Sequence, residues 1–241
     1  MIRLITMLCM LLMMAIPVQA NTLFFEENPF RQNISLLSQS PELKNRIDSR
    51  VLTMALAGYY SLREQGKVTR DGILTVIDFN RPSVEDRLFV IDINQGRLLY
   101  SGLVAHGSGS GENYAERFSN NPGSHQSSLG FYTTADTYDG KNGYSLRLLG
   151  MERGINDNAE MRSIVIHGAD YVSHDFIRKH GRLGRSQGCP ALSFENNQQV
   201  IDLIKGGSCL FIYQSAREYA LSSTLLNPDF ARLPEVSGQF L

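Results

Sequence analysis

The sequence predicts a mainly β domain, a β-sandwich or partly closed barrel, with an N-terminal helix and a few short helices. Three observations carry this. From residue 72 onward the apolar spacing changes from helical to extended, giving a series of short strands. Turn residues separate those strands, and Asn94-Gln95-Gly96 between two of them is a hairpin signal. Only two capped helical stretches interrupt the series, which favours a β-rich layer architecture.

Taken in order, residues 1–20 read as a signal peptide. Arg3 gives a positive start, Leu4 to Ile16 is nearly unbroken apolar, and Val18-Gln19-Ala20 ends in small residues. The run is too short for a spanning helix, so the expectation is cleavage near Asn21, no stable membrane insertion afterwards, and a periplasmic or exported protein. Residues 21–71 form an N-terminal helical segment. Its helix starts with Ser40 as N-cap and Pro41 in the first turn, keeps a stripe through Leu43, Ile47, Val51, Leu52 and Met54 to Leu56, and ends before Gly66.

Residues 72–214 make the main domain. Strands are expected at Ile73 to Phe79, Leu88 to Ile93, Arg97 to Val104, Gly130 to Thr134, Tyr144 to Leu149, Ser163 to Ile166 and Cys209 to Tyr213. One short helix follows Ser173 and closes at Gly181; another follows Ser193 and closes at Gly206-Gly207. Gly107 to Ser128 is glycine-rich and polar without a regular element, the kind of long loop that carries function or is disordered. Its "GSGSG" lacks the GK[ST] and helix start of a phosphate cradle. Residues 215–241 form a C-terminal tail, packed on the domain or partly flexible.

Hydrophobic content of 42% and 8 prolines fit a globular chain, and the formal charge of −1 becomes −2 once Arg3 is removed. No general pull on nucleic acid or anionic lipid is expected. No cofactor motif is present, and nothing in the sequence specifies an oligomeric state.

Two cysteines follow the leader, Cys189 and Cys209. A disulfide between them, a metal ligand, a buried small hydrophobe and a nucleophile are the possible roles. Cys209 in "SCLFIY" fits an apolar strand core. Cys189 instead sits in "GRSQGCPALSF", after glycine and before proline. Gly188 lets a substrate approach the backbone, Pro190 biases Cys189 to an extended conformation, and the N–H groups of Gly188 and Cys189 are candidate oxyanion donors. His167 ends the apolar run "SIVIHG" and is the candidate base, since an adjacent imidazole activates a thiol and later protonates a leaving amine. His167, His174, His180 and Cys189 lack recognised zinc spacing, so no metal is expected.

"IHGAD…GRSQGCPAL" resembles the catalytic signature of the L,D-transpeptidases, the YkuD-type domain: His-Gly, a variable stretch, then Ser-x-Gly-Cys. "SSLGFYTT" resembles that family's Thr-Pro-x-Gly-x-Phe strand, and "FVIDINQGRLLYSGLVAHG" its opening hairpin, so the likeness spans about residues 72 to 214. The resemblance implies Cys189 as nucleophile, His167 as base oriented by a backbone carbonyl, and peptidoglycan stem peptides as partners. It implies attack between the third residue and terminal D-alanine of a tetrapeptide, then resolution of the thioester by a stem amine; resolution by water would make an L,D-carboxypeptidase. Gly168, Tyr171, Arg185, Ser186, Gln187 and His106 are further substrate-binding or supporting candidates. Two departures stand out: Gln187 and Ala191 occupy positions where many members carry His and Arg, and Arg185 or Arg182 is the candidate replacement for the missing charge. A sortase-like enzyme is the other enzyme class, but Thr-Leu-x-Thr-Cys and a membrane anchor are lacking. A catalytically inactive envelope-binding module is the third class.

Overall fold

The computed structural model describes residues 29–226. The leader at 1–20 and the last part of the tail lie outside the described residues.

Three helices precede the sheet: α1 (Pro29–Gln39), α2 (Pro41–Lys44) and α3 (Ser49–Glu64). The expected single helix is therefore broken, because the Asp48 side chain accepts from Arg50 N and caps a new helix. The apolar stripe continues across the break, with Leu43, Ile47, Val51 and Leu52 all buried. Helix α3 lies so close to the sheet that a methyl group at Gly58 would stand 2.0 Å from the Phe131 ring. Helices and sheet share one core.

Eight strands form one sheet: β1 (Ile73–Asp78), β2 (Leu88–Asp92), β3 (Arg97–Gly102), β4 (Gly130–Gly140), β5 (Gly143–Gly150), β6 (Val165–Ala169), β7 (Ala191–Ser193) and β8 (Cys209–Tyr213). Their order is β3-β2-β1-β8-β4-β5-β6-β7. The wholly apolar "CLFIY" of β8 follows from its place between β1 (parallel) and β4 (antiparallel), buried throughout. Phe211 stacks on Phe131 at 4.2 Å there.

The sheet's two edges meet. Beyond β3 the chain bridges to β7 at Ala105–Ala191, with N···O distances of 2.8 and 3.3 Å. Ser108 N donates to Ser186 O (2.8 Å) and Ser186 N to His106 O (3.0 Å), extending this seam. The partly closed barrel, not the sandwich, is the architecture.

Other boundaries differ from expectation. β3 stops at Gly102 and β4 runs on to Gly140 across a register shift between Thr134 and Thr137. β6 begins at Val165, so His167 lies mid-strand and not at a strand end. β7 was not expected, since its three residues "ALS" are too few to show a period. Helix α4 (His174–His180) starts at Ser173 and ends at Gly181, whose φ of 72° needs glycine's freedom; α5 (Phe194–Ile204) is capped by Ser193. In the tail, α6 (Arg217–Ser222) docks through Tyr219 and Ser223, which both donate to the buried Glu152.

Candidate active site

β6 and β7 run parallel with His167 opposite Ala191, which brings the turn just before β7 beside the imidazole. Gly188 in that turn has φ of 126°, a conformation that disfavours any side chain. Two serines hold the turn. Ser186 Oγ accepts from Gly188 N (3.0 Å) and donates to Cys189 O (2.6 Å). Ser127 Oγ donates to Gly188 O (3.1 Å) and accepts from Gly107 N (3.0 Å). The turn is thus fixed from both sides.

Cys189 is partly buried and its thiol donates to Ser163 O at 3.5 Å. Burial pushes the thiol above its ordinary pKa, against the Val165 amide and the charges of Arg162 and Lys141. His167 is 6% exposed, and its Nδ1 lies 2.8 Å from Gly168 O. A carbonyl only accepts, so Nδ1 carries the proton and Nε2 is the acceptor. Burial lowers the imidazole pKa, so it is neutral at pH 7. A neutral base with one committed nitrogen and a protonated thiol therefore share a cleft of about 830 Å³. That is the resting state a general base needs.

The same cleft is lined by Gly168, Tyr171, Arg185, Ser186 and Gln187. Gly168 has no room for a side chain, since a methyl there would meet Phe194 at 2.5 Å. Two expectations are corrected. Gly188 N is consumed by Ser186 Oγ, so among the described residues only the Cys189 amide of the two is without a protein partner to face an oxyanion. His106 does not line the cleft: it is wholly buried, accepts from Arg87 Nη2 at Nδ1 (2.8 Å), and donates Nε2–H to Gly111 O (3.4 Å). Burial, then Arg87, pushes it down to about 3.

Arg182 and Arg185 both turn to Glu112, at 2.8 and 2.6 Å. A guanidinium that does border the Cys189 turn is Arg162, which sequence reasoning missed because it belongs to no motif. Its segment is set by Glu152, which accepts from Phe131 N (2.7 Å), and by Asn156, which donates to Leu129 O and Phe131 O (3.0 Å each). Ser163 follows at φ of 55°, turning into β6 and presenting its carbonyl to the Cys189 thiol. Lys141 from the β4–β5 turn and Met161, 65% exposed, also line the cleft. His174 and His180 lie outside it, and the His180 ring packs at a tilt against Phe176.

A family model described as the L,D-transpeptidase catalytic domain (YkuD_2) matches residues 43–213. The chain belongs to this family. The match covers the sheet, α3 and the last two residues of α2. No curated protein matches the chain. Among solved structures it is similar to an L,D-transpeptidase from Mycobacterium smegmatis (15% identity, TM-score 0.37, 59% of each chain). It is also similar to L,D-transpeptidase 1 of Mycobacterium tuberculosis (12%, TM-score 0.34, 58% of this chain and 61% of that one). A third is the helical cell shape determining protein Pgp2 from Campylobacter jejuni (12%, TM-score 0.39, 59% and 47%). The chain spans about three fifths of the length of the first two.

Proposed function

We propose that this L,D-transpeptidase domain is an exported cysteine peptidyltransferase acting on peptidoglycan stem peptides, outside the inner membrane and after loss of residues 1–20. The observation that carries the reading is that Cys189 shares its cleft with a His167 whose Nδ1 is committed to Gly168 O. His167 Nε2 takes the thiol proton as Sγ attacks the carbonyl of the third stem residue. The Cys189 amide faces the oxyanion. The imidazolium gives its proton to the nitrogen of the departing D-alanine as the C–N bond breaks, leaving a thioester. An amine of a second stem then attacks, losing its proton to His167, and a third-residue cross-link forms as the thiolate leaves and is reprotonated. The loop through Pro122, Gly123 and His125 walls one side of the cleft, which supports exclusion of water from the thioester.

Incubation of the purified protein with tetrapeptide muropeptides tests this by mass spectrometry. Dimers joined between third residues, with one D-alanine released per bond, are expected. Accumulation of tripeptides alone assigns carboxypeptidase activity, and no turnover with a modifiable Cys189 assigns a binding role. Intact mass of envelope fractions checks the export, which fails if Met1 is retained.

A further inference from the structure

Arg162 makes four hydrogen bonds, all to neutral oxygens. Nη1 donates to Ser119 O (2.7 Å) and Ser128 Oγ (2.5 Å). Nη2 donates to Gln126 O (2.6 Å) and Ser124 Oγ (3.3 Å). Among the described residues no carboxylate pairs with it, whereas Arg182 and Arg185 share Glu112. This half-buried cation borders the nucleophile: a methyl group on Gly188 would lie 3.4 Å from Nη2, and the next residue's carbonyl receives the Cys189 thiol. A guanidinium held by dipoles alone keeps its full charge for whatever negative group forms beside it.

We propose that Arg162 is the positioning residue of the nucleophile: its uncompensated charge stabilises the Cys189 thiolate formed during attack, while its planar fork clamps the Ser119–Ser128 wall against the nucleophile turn. The proposal rests on Cys189 being the reactive group. Other groups facing that sulfur are the Val165 amide and His167 of β6, Tyr171 beyond it, and Lys141 of the β4–β5 turn. His167 is neutral at rest, its pKa lowered by burial. Lys141 is exposed, so solvent screens it. Arg162 is the cation whose charge acts on the sulfur from within the protein, and Cys189 in turn favours the charged guanidinium.

The test is the pH–rate profile of Cys189 alkylation by iodoacetamide in the full chain, read by peptide mapping, with circular dichroism to establish folding. Arg162→Gln should slow alkylation at pH 7 by roughly tenfold or more and move the midpoint upward, with rates converging on the parent's at high pH where every thiol is ionised. Arg162→Lys keeps a charge but not the fork: the midpoint should stay close to the parent's while proteolysis within 119–128 accelerates. An unmoved midpoint in folded Arg162→Gln overturns this proposal alone. Should that variant fail to fold, an Arg162→Lys midpoint raised by about one pH unit, with the charge still present, overturns it equally. Alkylation no faster at Cys189 than at Cys209 overturns the nucleophile reading, and this proposal with it.

Discussion

Two arginine–histidine neighbourhoods lie on either side of the seam that joins the sheet's edges, and they have opposite characters. In one, Arg87 is wholly buried and donates to Val104 O, Arg81 O and His106 Nδ1, while His106 spends its other nitrogen on Gly111 O. Both imidazole nitrogens and all three guanidinium nitrogens have protein partners, and both side chains are wholly buried. In the other, His167 keeps Nε2 open, Cys189 keeps a thiol that touches only one carbonyl, and Arg162 keeps an unneutralised charge. The same residue types close the barrel in one place and line an open cleft in the other. What separates them is whether hydrogen-bonding capacity is left over.

The largest effects should come from the open side. Cys189→Ala should reduce acylation by a carbapenem or a stem peptide to background, and His167→Ala should reduce it by about 10²- to 10⁴-fold, measured by mass shift over time. His174→Ala, outside the cleft, should leave it near the parent rate. Comparable losses at both histidines would break the comparison.

On the closed side the effects fall on stability. Arg87→Met strands Val104 O and His106 Nδ1 and should cost about 2–4 kcal/mol, read from urea unfolding. A loss of activity in a variant that is still folded at the assay temperature would show that the seam transmits to the cleft.

A gentler change sharpens the contrast through pH. His106 is neutral in the fold down to about 3, but its unfolded counterpart takes up a proton below about 6.5. The unfolded chain therefore binds more protons between those values, and this residue's stability contribution is lost as pH falls from about 6.5 toward 3. Asp78, raised by burial to about 6, pulls the other way over part of that range and is present in both proteins. Parent minus His106→Gln should thus show a stability difference that declines on acidification, by urea midpoints at successive pH values. A flat difference would mean the imidazole titrates normally. The smallest effect is expected for Cys209→Ala. Its thiol is fully buried in β8 and driven upward by burial, so the change should cost about 1 kcal/mol and leave acylation untouched.

β1, β2 and β8 were legible because burial dictates residue type along almost the whole run. The break at Asp48 was not, since the apolar stripe passes through it and one side-chain cap decides the outcome. β7 was hidden because its pairing is supplied by distant strands, not by its own composition. That Cys189 and His167 line one cleft could be anticipated from local context: glycine before the thiol, an apolar run before the histidine. Arg162 could not, because its meaning depends on four oxygens brought from 34 to 43 residues away. The consumption of the Gly188 amide was equally invisible, being a property of the Ser186 rotamer.

The seam also has a consequence for the order in which the molecule matures. The Cys189 turn is held by chain that lies far before it in sequence, Ala105, Gly107 and Ser127, and β8 pairs in parallel with β1 across the whole domain. Contacts of such long separation form late, because loop closure must precede them. A chain that has collapsed but not joined its sheet edges has its cysteine without a fixed turn, a facing amide or a neighbouring cation. Reactivity of Cys189 toward a carbapenem should therefore appear with the slowest refolding phase and never ahead of it.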